Sequence, residues 1–280
     1  MSLSVIVITK NEEACIGECL TSVAWADEVI VVDSGSTDRT VELCRKYTDK
    51  VHLTADWPGF GRQKNRALAL AAEEWVLSID ADERATPELR REIEAAMDNP
   101  GDRVAFAMPR RSSYCGRRMR HSGWWPDDVV RLFRRGRGRF SDDLVHERLI
   151  VDGPVGRLRS PLIHEAFGSL EEVLETMNRY STAGARLMQE RGKRTTLAGA
   201  ILHGLWSFFH TYVVRAGFLD GREGFLLAVS NGEGTYYRYL KLILLTESDK
   251  AGRLKNAPTL RPLKKAPTLS FPRRRESRKH

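Results

Sequence analysis

Apolar residues come in short runs along the first third of the chain, and each run closes on polar residues. Leu3-Ser4-Val5-Ile6-Val7-Ile8-Thr9 leads into Lys10-Asn11-Glu12-Glu13, after which Ile16, Leu20 and Val23 recur at helical spacing. Glu28-Val29-Ile30-Val31-Val32 leads into Asp33-Ser34-Gly35-Ser36-Thr37-Asp38, then Val41, Leu43, Cys44 and Tyr47 mark a short helix. A strand over Val51-His52-Leu53, a helix over Ala67 to Ala72 and a strand from Trp75 to Asp80 continue the alternation. Strands apolar on both faces are buried between helices. The alternation predicts an α/β fold, a doubly wound and mostly parallel sheet. In such sheets ligands lie outside the carboxyl ends of the strands. Here those ends carry Thr9 to Glu12, Asp33 to Gly35 and Asp80 to Asp82, so three polar tips are expected around one crevice.

The third tip, Ser78-Ile79-Asp80-Ala81-Asp82-Glu83, holds two carboxylates one residue apart. In an extended chain they fall on one side of the strand. One can ligate a divalent cation while the other reaches a sugar hydroxyl. Oxygen ligands suit Mg²⁺ or Mn²⁺, which keep positions open for phosphate oxygens. A short acidic pair also serves as a solvated loop or helix cap, and Asp38 can cap the helix that follows it. There is no Walker-type P-loop, and no Gly-x-Gly-x-x-Gly follows the first strand, which argues against an NAD enzyme.

The segments "LSVIVITKNEE", "VVDSGSTDRT" and "SIDADE" resemble, in order and spacing, the nucleotide-binding elements of the inverting glycosyltransferases of family 2, which have the GT-A fold. "GWWPDDVVRLFRR", "VHERL" and "FLDGREGF" are similar to the branch that builds lipopolysaccharide core as beta-1,4-glucosyltransferases; the resemblance covers about residues 3 to 245. It implies that Thr9, Asn11 and Glu12 line the nucleotide pocket and that Asp33, with Ser34 beside it, bonds the base or ribose. It implies that Lys64 and Asn65 meet the base or diphosphate, that Asp80 touches ribose or sugar, and that Asp82 binds the metal. The donor is expected to be a UDP-sugar, with glucose the sugar moved. The acceptor is expected to be lipopolysaccharide core or a related glycan, with a polyprenyl phosphate or another surface polysaccharide as the alternative.

An inverting transfer needs a general base beside the acceptor hydroxyl. Asp127, in "WPDDVVRLF", and Glu147, in "VHERL", are the candidates, although a Pro-Asp sequence is also an ordinary turn. His146 is the expected additional metal ligand, with His164 in "IHEAF" as its rival.

The formal net charge of +8 is unevenly spread. Residues 251 to 280 hold ten Lys or Arg against one acid, a net of +9, which leaves the body near neutrality at −1. Within the body, Arg103 to Arg139 contains eleven arginines against Asp127 and Asp128. Arginine's planar fork suits phosphate and carboxylate, so an anionic lipid-linked acceptor fits this segment, as does a plain solvated loop. An RNA-binding protein or a non-catalytic glycan-binding module would be the other classes. No nucleic-acid-binding pattern accompanies the arginines, and Trp124 and Trp125 suit a sugar ring better than bases.

Beyond Ser169 the chain reads as helical. Ala198 to Leu219 is apolar and aromatic apart from a stripe of His203, Ser207, His210, Thr211 and Arg215. Such a segment either packs on the protein or lies in a membrane interface, and peripheral attachment to the inner face of the cytoplasmic membrane is expected rather than a span. No leader-like segment opens the sequence, so the catalytic part is expected in the cytoplasm. Cys15, Cys19, Cys44 and Cys115 have neither zinc nor disulfide spacing. The expected organisation is a catalytic domain over 1–168, a helical extension over 169–249 and a disordered basic tail over 250–280.

Overall fold

The computed structural model describes residues 1–142 and 147–250, with side chains described up to residue 247. His146 and the basic tail lie outside the described residues. The described residues form two compact units: Met1–Arg111 with Asp127–Glu165, and Ser112–Pro126 with residues 166–250.

The first unit begins with β1 (Leu3–Thr9), α1 (Ile16–Val23), β2 (Glu28–Asp33), α2 (Thr40–Cys44), β3 (Val51–Leu53), α3 (Phe60–Leu70) and β4 (Trp75–Asp80). It continues with β5 (Glu83–Ala85), α4 (Pro87–Asp98) and β6 (Ala105–Tyr114). Every residue of β1 and β4 is buried, as continuous apolar runs require. β3, β2, β1 and β4 are parallel neighbours, and their register sets Thr9 against Asp33 and Ile8 against Asp80. The three polar tips therefore end level. α3 begins seven residues before the apolar stretch from Ala67, because its first turn is built of Gly61, Gln63 and Lys64, all buried.

After β7 (Arg117–Arg118) come β8 (Asp127–Arg134), β9 (Gly138–Phe140), β10 (Leu149–Val151), β11 (Val155–Arg157) and β12 (Leu162–Phe167). β8 joins the far side of β4 and pairs with β6, both antiparallel. The sheet order is β3-β2-β1-β4-β8-β6-β12-β5, a parallel half continued by an antiparallel half. One apolar cluster centres on Leu20, Trp75, Leu77, Ile93 and Leu132, and another on Ile6, Ile30, Val76 and Phe133.

The second unit is helical, with α5 (Leu170–Glu190), α6 (Leu197–Phe209) and α7 (Gly221–Lys250). Ser169 and Thr196 cap α5 and α6 through side-chain oxygens that accept from Glu172 N and Gly199 N. α6 runs into a π-turn, His210–Val214, and a 3-10 turn, Gly217–Asp220, so the apolar stretch 198–219 is not one helix. The "FLDGREGF" segment acts structurally here. Asp220, 2% exposed, accepts from Arg120 N and His121 N at 3.1 and 2.8 Å, and a Cβ on Gly224 would lie 1.9 Å from the Gly217 carbonyl. Trp124 packs between Tyr114 and Phe167 in this unit's core. That corrects its expected role as a platform for a sugar ring.

Candidate active site

The loops after β1 and β2 are laced together by their own side chains. Asp33 accepts from Gly35 N and Ser36 N at 3.0 and 2.9 Å and from the Ser36 hydroxyl. Both of its oxygens shape the loop, with Gly35 in the left-handed region at φ 76°. Asn11 also has positive φ, 54°, and its Oδ1 accepts from Thr37 N at 2.7 Å. Glu12 N donates to Thr40 Oγ1, and the Ser34 hydroxyl accepts from Gln63 Nε2 at 2.9 Å. Thr9 Oγ1 is buried with no hydrogen-bond partner among the described residues. Asn65 uses both ends of its amide on the Phe140 backbone, each at 2.9 Å, so its described contacts pin β9.

At the next strand end a line of alternating charge crosses the unit. Lys64 Nζ lies 2.9 Å from Glu147 Oε1 and 3.1 Å from Asp80 Oδ1. Asp80 Oδ2 accepts from Arg131 at 2.7 Å, and the same Arg131 nitrogen donates to Glu83 Oε1 at 2.5 Å. Arg110 lies 3.5 Å from Glu83 Oε1 and donates to Asp127 Oδ2 at 2.6 and 3.0 Å. Four carboxylates and three cations thus run Glu147, Lys64, Asp80, Arg131, Glu83, Arg110, Asp127. Burial works against the charge on Lys64 and Arg131, but the carboxylates on either side outweigh it and raise both pKa values. Both cations stay protonated throughout the physiological range.

Local structure explains this alignment. Arg110 and Asp127 are cross-strand partners in the β6–β8 ladder. The register then shifts between Phe106 and Ala107, which face Leu132 and Val130 and leave Arg131 as the bulged residue. A bulge re-aims its side chain, here toward β4. Glu83 is fully buried, and its second oxygen accepts from Asp80 N at 2.9 Å, closing the turn after β4.

The two carboxylates of the acidic motif consequently differ. β4 ends at Asp80, so Asp82 lies in the turn beyond it, and the expected strand alternation does not apply. Both oxygens of Asp80 face cations. Asp82 Oδ2 lies 3.6 Å from His164 Nε2, because His164 pairs with Glu83 in the β5–β12 ladder. Among the described residues no group of three or more His, Cys, Asp or Glu gathers to hold a metal. A carboxylate and an imidazole nonetheless fit an ion that draws its other ligands from phosphate and water.

Of the two base candidates, Glu147 is the more enclosed, with 9% of its side chain exposed against 21% for Asp127. Asp128 pairs instead with Arg157 at 3.1 Å. The arginine-rich segment also divides: Arg110 and Arg131 are buried in the charge line, while Arg117, Arg118, Arg120, Arg135, Arg137 and Arg139 are exposed. Glu83, Arg110 and Arg131 were not among the expected site residues. Their signal was present, since Arg131 interrupts the apolar strand Val129-Val130-Arg131-Leu132-Phe133, and a charge buried there needs a partner.

Residues 4–158 match the sequence model of the family described as glycosyl transferase family 2. The chain is 32% identical over 251 residues to the lipopolysaccharide core biosynthesis glycosyltransferase LpsC of Rhizobium meliloti (strain 1021), spanning 86% of this chain and 90% of that protein. It is 29% identical over 252 residues to an uncharacterized glycosyltransferase of Rickettsia typhi (strain ATCC VR-144 / Wilmington), spanning 86% of each. Among solved structures, that of S. aureus TarS 1-349 aligns with a TM-score of 0.46 at 17% identity, covering 91% of this chain and 93% of that one. The chain belongs to glycosyl transferase family 2. It is a glycosyltransferase of GT-A fold with a C-terminal helical region.

Proposed function

We propose that this glycosyltransferase moves a hexose, glucose in the simplest case, from a UDP-sugar to a lipopolysaccharide core or related anionic lipid-linked glycan, with inversion, at the cytoplasmic face of the membrane. The LpsC likeness supports the acceptor class. The charge line carries the chemical reading: it fixes Asp80 and places Asp127 at its more open end. The loops after β1 and β2, with Thr9, Asn11, Glu12 and Ser34, take the nucleotide. Asp82 and His164 are the described side chains that would hold Mg²⁺ or Mn²⁺, and such an ion would offset charge on the leaving diphosphate.

Asp127 takes the proton of the acceptor hydroxyl as its oxygen attacks the anomeric carbon from the face opposite the diphosphate. One C–O bond forms, the C–O bond to the diphosphate breaks, and the electron pair leaves on the nucleoside diphosphate. Arg110 holds Asp127 in its orientation. Glu147 acts at the other end by positioning Lys64 against Asp80. The test compares Asp127→Asn with Glu147→Gln for nucleoside diphosphate release and donor binding. Asp127→Asn should lose turnover and keep donor binding, whereas Glu147→Gln should weaken donor binding. Full turnover in Asp127→Asn would remove it as the base.

A further inference from the structure

Helix α6 is built with its polarity reversed. Its inward strip is small or hydroxylated: Ala200, Gly204, Ser207 and, in the π-turn, Thr211. A Cβ on Gly204 would meet the Gly232 carbonyl at 3.1 Å, and one on Gly232 would meet the Gly204 carbonyl at 3.2 Å, so α6 and α7 approach backbone to backbone. Ser207 donates to the Asn231 carbonyl at 3.0 Å, Thr235 donates to Ser207 Oγ at 3.1 Å, and Asn231 donates to Thr211 Oγ1 at 3.3 Å. Close approach at small residues plus interhelical hydrogen bonds is how helices pair when water does not drive them together.

The outward arc carries the large residues. Leu202, Leu205 and Trp206 are 66%, 63% and 59% exposed, and Ile201, Phe209 and Val213 are also exposed. At 100° per residue, Leu197, Ile201, Leu205, Leu202, Phe209 and Trp206 fall within one half of the helix circumference. The charge carried by this segment itself has one sign. Residues 191–219 hold Arg191, Lys193, Arg194 and Arg215 and no Asp or Glu. Leu197–Val214 is long and apolar enough to cross a membrane by length and composition. However, α7, packed along it, carries Arg222, Glu223, Glu233 and Arg238, which a lipid core would exclude.

We propose that α6 and its π-turn form an in-plane anchor whose Leu202, Leu205, Trp206 and Phe209 face sinks into one leaflet of an anionic bilayer. Arg191, Lys193, Arg194 and Arg215 reach the lipid phosphates from its two ends. This rests on the membrane-facing transferase reading above and names the element that makes the contact. A large apolar arc, aromatic residues within it and cationic ends are the features of interfacial helices. Long cationic side chains extend their charge to the head groups while their stems stay on apolar surface.

The test is co-sedimentation of the full chain with phosphatidylcholine vesicles, with and without phosphatidylglycerol. The parent should bind the anionic vesicles, and Trp206 emission should shift to the blue, a shift absent in Trp206→Phe. The triple variant Leu202→Gln, Trp206→Gln, Phe209→Gln should lose binding by about tenfold or more. Its donor-nucleotide binding in buffer, unchanged from the parent, serves as the fold control. Vesicle binding retained in full by the triple variant would assign it to the basic tail and overturn the proposal. A parent dimer that the triple variant converts to monomer, with no vesicle binding by either, would overturn it in favour of a second copy on this face. Nucleoside diphosphate release without vesicle binding rejects the anchor alone. Vesicle binding through this face without any release would support the anchor while rejecting the transferase reading.

Discussion

Helices α4 and α6 are nearly the same length, 12 and 13 residues, and they divide their side chains in opposite ways. α4 turns Leu89, Ile93 and Met97 inward and faces water with Glu88, Arg90, Arg91 and Glu94, which pair along the helix at 2.8 and 3.1 Å. α6 turns Ala200 and Gly204 inward and presents Leu202, Leu205 and Trp206 outward. The first unit goes further in its own direction and buries charge, with seven ionic groups in a line between Glu147 and Asp127. The two patterns call for different surroundings. Burying ionic groups is tolerable where each finds a partner, and exposing large apolar groups is tolerable where a nonaqueous phase covers them.

The acidic turn after β4 and the open end of the charge line give the largest expected effects. Asp82→Ala should lower turnover by about 10²-fold or more, the scale of losing electrostatic stabilisation of a leaving group. Its thermal midpoint should hardly move, because Asp82 lies in a turn. Asp127→Asn should lower kcat by about 10²- to 10⁴-fold, as loss of a general base does. Retention of turnover by Asp127→Asn would detach the charge line from catalysis, and retention by Asp82→Ala would remove its metal role.

Next come changes in stability. Glu83→Ala leaves Arg131 and the Asp80 amide facing a void and should cost about 3–5 kcal/mol in urea unfolding, the range for breaking a buried ion pair. The two helices can then be set against each other directly. Ile93→Ala in α4 should cost about 2–5 kcal/mol. Leu202→Ala in α6 should stay within about 0.5 kcal/mol in buffer, as surface changes do. A large loss at Leu202 would show that the outward face of α6 is already covered by protein.

The smallest effect concerns acid stability. Burial works against the charge on Glu28, but hydrogen bonds from Ala72 N, Lys50 and Ser4 outweigh it and hold the carboxylate below its usual 4.5. The unfolded chain therefore binds the proton more readily, so this contribution is present above about pH 4.5 and is lost as pH falls through the folded value. Stability measured across that range should fall less steeply in Glu28→Gln than in the parent.

The parallel half of the sheet was legible because its strands are buried on both faces and read as unbroken apolar runs. The order of the polar tips followed from it. The antiparallel half was less legible, since β8 mixes Asp127, Asp128, Arg131 and Arg134 with Val129, Val130, Leu132 and Phe133 and has no regular period. Its bulge at Arg131 depends on pairing with β6, which is a tertiary fact. Lys64 and Asp80 were read as ligand-facing groups, while the structure shows both engaged with neighbouring charges. Their partners Glu147 and Arg131 lie far from them in sequence and reach them only in the folded unit. The polar stripe of Ser207 and Thr211 was visible as a periodicity, but its burial against Asn231 and Thr235 was not.

The most direct test of the catalytic account is nucleoside diphosphate release from UDP-glucose and other nucleotide sugars. It is measured with Mg²⁺ or Mn²⁺ and after chelation, using lipopolysaccharide core acceptor and comparing the parent with Asp82→Ala and Asp127→Asn. The account predicts acceptor-stimulated, metal-dependent release by the parent and near-background release by both variants. Release that ignores chelation, or that survives both substitutions, would contradict it.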